Sequence, residues 1–236
     1  MTRLAVMQPY FFPYIGYFQM IAAVDRFVVY DDVAFIKNGW INRNRILGRS
    51  GPEFFTVPLQ GASSFRPINE TACAPPRMWR DKMLRTIEQG YARAPQLTAG
   101  VEIARNVLAE ADRGSIRDLA VASIRAVCAY AELKTNLVES STKYENAGLS
   151  GSRRLIDICH REAASEYVNS PGGRALYNSA EFRDAGLDLR FIEPVLDPYP
   201  QVRKGGFVAG LSVIDLIMSV PREEVAQRLR AGVVTE

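Results

Sequence analysis

The chain has 236 residues, 47% hydrophobic and 23% charged, close to an average globular protein. Disordered, collagen-like and coiled-coil proteins are excluded, and a chain of this length can bury an adequate core without staples. The 29 basic and 26 acidic side chains leave a net charge of +3, too small to argue for a nucleic-acid partner. No apolar window is long enough to predict a membrane span, and the proline-broken N-terminus does not read as a secretory leader. Cys73, Cys128 and Cys159 are far apart and odd in number. They read as reduced thiols in a cytoplasmic protein, with no zinc pattern. His160 is the single histidine, so no metal centre is expected from imidazole ligands.

The predicted elements begin with a strand over Leu4–Met7, stopped by Gln8-Pro9. An aromatic loop, Tyr10-Phe11-Phe12-Pro13, leads into a helix over Tyr14–Val24 and a strand over Phe27–Tyr30. Strand, helix and strand form a parallel β-α-β unit whose first loop lies at the carboxyl edge of the sheet. A strand is predicted over Phe54–Leu59 and a helix over Trp79–Tyr91, with two more helices near 100–111 and 115–132. Then follow a strand at Asn136–Val138, a helix over Ser152–Ala164 capped by Ser152, and strands at Tyr167-Val168 and Leu187–Ile192. The last helices span about 211–218 and 221–231. Alternating strands and helices predict one α/β domain over residues 1–236. Its sheet is mostly parallel and Rossmann-like, with a helical segment near 77–133 inserted between sheet-forming parts.

Three segments carry chemistry. In the first, Asp31 and Asp32 follow a predicted strand and precede Lys37, Trp40, Asn42, Arg43 and Asn44. One of the two acids is expected to face a crevice and act as a general base. Lys37 and the following polar residues would hold an anion or a developing oxyanion. Arg43, Arg45 and Arg49 concentrate positive charge in the same loop, where Trp40 reads as a pocket wall. The second segment supplies Gln8, Tyr10, Tyr14 and Tyr17 at the opening of the first helix, with Gly16 allowing close approach. The third is Ser170-Pro171-Gly172-Gly173-Arg174, whose amides and guanidinium would cradle a carboxylate or phosphate. Cys159 continues the apolar face of Leu155 and Ile156, so it reads as structural rather than as a partner of His160.

The segments 8–18 (QPYFFPYIGYF), 29–46 (VYDDVAFIKNGWINRNRI) and 55–59 (FTVPL) resemble the WbqC-like family. So do 154–159 (RLIDIC), 167–177 (YVNSPGGRALY) and 207–217 (FVAGLSVIDLI). The resemblance implies a place in surface-polysaccharide, amino-sugar or specialised-metabolite biosynthesis, and a transferase that moves an acyl or aminoacyl group to an amine or hydroxyl. Tyr14-x-Gly16-Tyr17 also stands where nucleotidylyltransferases of the HIGH type carry His-x-Gly-His. That similarity implies a related fold, since both histidines are absent. A transferase would need no tightly bound cofactor. Its donor would be a coenzyme A or carrier-protein thioester, with an acyl carrier protein as a partner besides the small-molecule substrate. A nucleotide-dependent enzyme using ATP and Mg²⁺ and a non-catalytic binding protein are the alternatives, and a homo-oligomer stays open.

Overall fold

The computed structural model describes residues 1–48, 51–203 and 205–236. The first unit is β1 (Arg3–Met7), α1 (Ile15–Ala22) and β2 (Arg26–Val29). Next comes an insertion with β3 (Arg43–Gly48), β4 (Gly51–Thr56), β5 (Leu59–Gln60), β6 (Ala72–Cys73), α2 (Arg80–Gly90), α3 (Leu97–Ala109) and α4 (Ile116–Tyr130). The chain then returns through β7 (Asn136–Val138), α5 (Gly151–Arg161), β8 (Glu166–Asn169), α6 (Ser179–Asp184) and β9 (Asp188–Glu193). It finishes with α7 (Val213–Ser219), α8 (Arg222–Leu229) and β10 (Val233–Thr235).

The main sheet has six strands in the order β10-β9-β8-β1-β2-β7, all parallel except β10, which runs antiparallel to β9. This is the expected α/β fold with a Rossmann-like order. Period-two alternation decides what each strand buries. Leu4 and Val6 point to one side, with Val28, Tyr167, Leu155 and Ile158. Ala5, Phe27, Val29 and Val168 point to the other, against α1 and the larger core. That larger core runs without interruption into α2, α3 and α4, so the insertion is packed onto the sheet.

Several expectations change. The inserted part is wider than a helical segment at 77–133, because two small antiparallel hairpins precede the helices. Arg43, Asn44 and Arg45, expected in a loop, lie on β3, paired with Thr56, Phe55 and Phe54 of β4. The strand predicted over Phe54–Leu59 is therefore half of a hairpin, outside the main sheet. Ser150 is the residue before α5, and Ser152, inside the helix, hydrogen-bonds Glu181 instead of capping. Strand β10 has no counterpart in the prediction. Among the described residues no helix is long and apolar enough to cross a membrane.

Candidate functional site

Strand order reverses between β1 and β8. The connections on one side lead through β2 to β7, and on the other through β8 to β9. In open α/β sheets the carboxyl ends of the strands at such a point leave a crevice for ligands. Here Met7 and Ser170 stand at those ends, and both line two cavities. The larger, about 420 Å³, lies on the α1 side. Tyr10, Tyr14, Tyr17, Trp40, Asn44 and Arg45 form much of its wall, closed further on by Gly210. The smaller, about 260 Å³, lies on the α5 side and is lined by Gln8, Tyr30, Asn169, Gly172, Gly173 and Tyr177.

The aromatic loop is built by polar braces rather than by regular structure. Phe11 and Phe12 are fully buried, with ring centroids 4.9 Å apart. Phe12 adopts φ 42°, a left-handed conformation that costs a residue with a Cβ roughly 1–2 kcal/mol. Three side chains hold it there. The Phe12 amide donates to Ser123 Oγ at 2.9 Å, and its carbonyl accepts from Asn44 Nδ2 and Ser212 Oγ, each at 2.8 Å. Asn44 Nδ2 also reaches the Phe11 carbonyl at 3.3 Å, so this buried side chain is a clamp at the base of the cavity.

The glycine of Tyr14-x-Gly16-Tyr17 has a steric reason. A Cβ on Gly16 would lie 2.5–2.7 Å from the Tyr14 ring and hydroxyl. Glycine thus lets Tyr14 fold down over the start of α1 and form the cavity wall. Tyr17 Oη donates to the Gln8 carbonyl at 2.9 Å, and its ring lies 5.4 Å from Tyr10. Burial raises the hydroxyl pKa of Tyr10, Tyr14 and Tyr17, so these hydroxyls stay protonated at neutral pH.

Asp31 and Asp32 take other positions than a cleft-facing base would. Strand β2 stops at Val29, so the period-two rule does not reach them. Asp31 is buried and accepts from Arg117 Nε at 3.0 Å, Ser140 Oγ at 2.9 Å and the Ser141 amide at 3.0 Å. Asp32 pairs with Arg154 Nη2 and Ser141 Oγ. Arg154 in turn lies 4.8 Å above the Tyr30 ring, so Asp32 reaches the smaller cavity only through Arg154 and Tyr30. Neither acid lines either cavity.

Lys37, Asn42 and Arg43 line a third cavity, about 350 Å³, beside the β3–β4 hairpin. It shares no lining residue with the two at the switch point. Arg43 donates to the carbonyls of Gly39 and Asn38, and Asn42 Nδ2 to the Val57 carbonyl at 2.9 Å. Arg174, expected to anchor an anion, turns to β10 instead. It pairs with Glu193 at 3.0 Å, donates to Thr235 Oγ1 at 2.8 Å and packs 4.3 Å over Phe191. Its neighbours do reach the site: a Cβ on Gly173 would lie 2.3 Å from Asn169 Nδ2, so that glycine makes room for the Asn169 side chain.

The residue that the reading of the charged segment passed over is Arg45. Strand alternation could not single it out, since Arg43 shares its face of β3 but lines the third cavity, while Asn44 points into the core and lines the same cavity as Arg45. Arg49, grouped with them in the sequence, lies outside the described residues. Cys159 is fully buried among Leu155 and Ile158, and burial pushes its thiol up to about 12. Such a thiol is inert as a nucleophile.

The fold and cleft define a Rossmann-like α/β protein with a paired cavity at its switch point. The chain belongs to the WbqC-like protein family, whose sequence profile matches residues 8–227. It is also similar to the uncharacterized protein Rv1507c of Mycobacterium tuberculosis (strain ATCC 25618 / H37Rv), with 29% identity over 225 residues. That match covers 94% of this chain and 96% of the relative. No solved structure matches the chain significantly.

Proposed function

We propose that the protein is a group-transfer enzyme that holds a donor and an acceptor on the two sides of the carboxyl ends of β1 and β8. The observation that supports this reading is the pair of cavities sharing Met7 and Ser170. Two adjoining pockets suit an enzyme that brings two reactants together. A transferase gains most of its rate from holding two reactants in contact.

The reaction we favour is acyl or aminoacyl transfer from a thioester to an amine or hydroxyl. With an amine, the C–N bond forms, the C–S bond breaks, and the amine's proton ends on the departing sulfur. Protonated tyrosine hydroxyls at Tyr10 and Tyr14 would donate to the developing oxyanion. Asp31 and Asp32 act in this scheme by position. Asp31 locks the 140–141 turn to α4, and Asp32 holds Arg154 against Tyr30.

The test is a matrix of acyl-coenzyme A thioesters against primary amines and amino sugars, read by thiol release. Ser170→Trp should fill the wall common to both cavities and abolish thiol release while the far-ultraviolet circular dichroism stays unchanged. Stabilisation by ATP with Mg²⁺ but by no thioester would favour the nucleotide-dependent alternative. Ser170→Trp at full rate would remove the switch-point cleft from the reaction.

A further inference from the structure

The arginines with partly or fully buried side chains in this protein are mostly spent on carboxylates. Arg117 pairs with Asp31 and Asp118, Arg154 with Asp32, and Arg228 with Glu224. Arg45 differs. It has no acidic partner among the described residues, and its one side-chain hydrogen bond is a long one, 3.3 Å from Nη2 to the Gly210 carbonyl. Its Nε is buried with no acceptor at all. Leaving such a donor unmatched is costly, more so on a charged group.

The backbone of Arg45 is by contrast fully committed. Its amide donates to Asn44 Oδ1 at 2.8 Å, and its carbonyl accepts from the Ser212 amide at 2.8 Å. The guanidinium is therefore presented from a fixed point, beside Trp40 with 5.8 Å between Cζ and the ring centroid. Among the described residues it is the sole charged side chain lining the 420 Å³ cavity. Met7, Met20 and Ile192 supply an apolar lining. The hydroxyls of Tyr10 and Tyr14, without partners among the described residues, add two neutral donors.

We propose that the larger cavity binds a carboxylate carried on an apolar body, and that Arg45 is the residue that recognises the carboxylate. A guanidinium matches a carboxylate with two parallel bonds, which a lysine cannot reproduce. One cation in an apolar cavity suits a single negative charge. A phosphate dianion would leave one charge uncompensated in an apolar wall. This inference names a substrate class for one half of the cleft, and so rests on the reading of that cleft as a substrate site.

The probes are benzoate, its neutral isostere benzamide, and phenyl phosphate, each titrated by ligand-observed NMR against the full chain. Benzoate should bind roughly ten- to hundredfold tighter than benzamide, the worth of a hydrogen bond to a charged group. Arg45→Met should remove that advantage and leave benzamide unchanged, and Arg45→Lys should recover part of it. Arg45→Lys also serves should Arg45→Met fail to fold. Equal binding of benzoate and benzamide by the native chain would overturn the proposal. So would tighter binding of phenyl phosphate that depends on Arg45, or benzoate binding indifferent to both substitutions. The two readings fail separately. Thiol release without benzoate selectivity sinks the carboxylate site alone. Arg45-dependent benzoate binding without thiol release from any thioester sinks acyl transfer alone.

Discussion

Phe12 concentrates the conflict between local preference and site construction. Its left-handed backbone is unfavourable alone, and three hydrogen bonds compensate, one donated to Ser123 and two accepted from Asn44 and Ser212. Asn44→Ala removes one of the two donors to the buried Phe12 carbonyl and the side-chain acceptor of the Arg45 amide. The expected loss is about 1–3 kcal/mol, with a melting temperature lower by roughly 2–4 °C per kcal/mol for a chain of this size. An unchanged melting temperature would show that Asn44 is no brace. Gly16→Ala acts on shape. Its Cβ must displace the Tyr14 ring, so ligand affinity should fall about tenfold or more, while stability changes little. Titrating the same probe against both proteins checks this.

Asp31 shows what single residues conceal in a sequence. Adjacent acids after a strand read as a base and its neighbour, because only the local chain is visible. Arg117 and Ser141, 86 and 110 positions away, decide their use. Asp31→Asn should weaken the hydrogen bonds from Arg117, Ser140 and Ser141 while Arg117 keeps Asp118, and so destabilise by about 1–3 kcal/mol, measured by urea unfolding. A stable Asp31→Asn protein without turnover would restore the general-base role.

Among the elements, β3 was hidden and β1 was plain for one physical reason. Leu4–Met7 is buried on both faces and reads as an apolar run, whereas β3 opens Arg43-Asn44-Arg45, whose apolar burial starts at Ile46. Its register depends on a partner strand and on α2, where Gly90 would place a Cβ 2.7 Å from the Leu47 carbonyl. The segment after α5 offers a pH test. Glu162 receives bonds from Lys143 at 2.6 Å and Tyr144 at 2.7 Å, and pairs with Arg26. Burial alone would raise its pKa; the bonds from Lys143, Tyr144 and Arg26 overcome this and bring it down from 4.5 to about 2. Above pH 4.5 the carboxylate is ionised folded or unfolded, and the contribution is complete. Between about 4.5 and 2 the unfolded chain takes the proton first, and stability is lost. Glu162→Gln should melt lower at neutral pH and show a shallower fall across that acid range. Arg174→Ala, at an exposed pair with Glu193, should cost at most about 1 kcal/mol and leave probe affinity unchanged. A large affinity loss would return Arg174 to the site.

At the scale of the whole molecule, the parallel sheet and the cleft at its carboxyl edge were legible, because β-α-β units follow from short-range periodicity. The cleft was legible in part. Tyr10, Tyr14, Tyr17, Trp40, Asn44 and Ser170 meet at the larger cavity, and Gln8, Gly172 and Gly173 at the smaller. What separates Lys37, Asn42 and Arg43 from them is the pairing of β3 with β4, where the sequence reads as a charged loop followed by a separate strand.

The six-stranded sheet ends on one side in β7 and on the other in β10, and each is three residues long. A strand from another molecule would find few free backbone groups at either border, too few to seed continued β-addition. Assembly through the main sheet, if it occurs, must therefore use side-chain faces. Concentrating the native chain should yield discrete particles by light scattering and no fibrils that bind thioflavin.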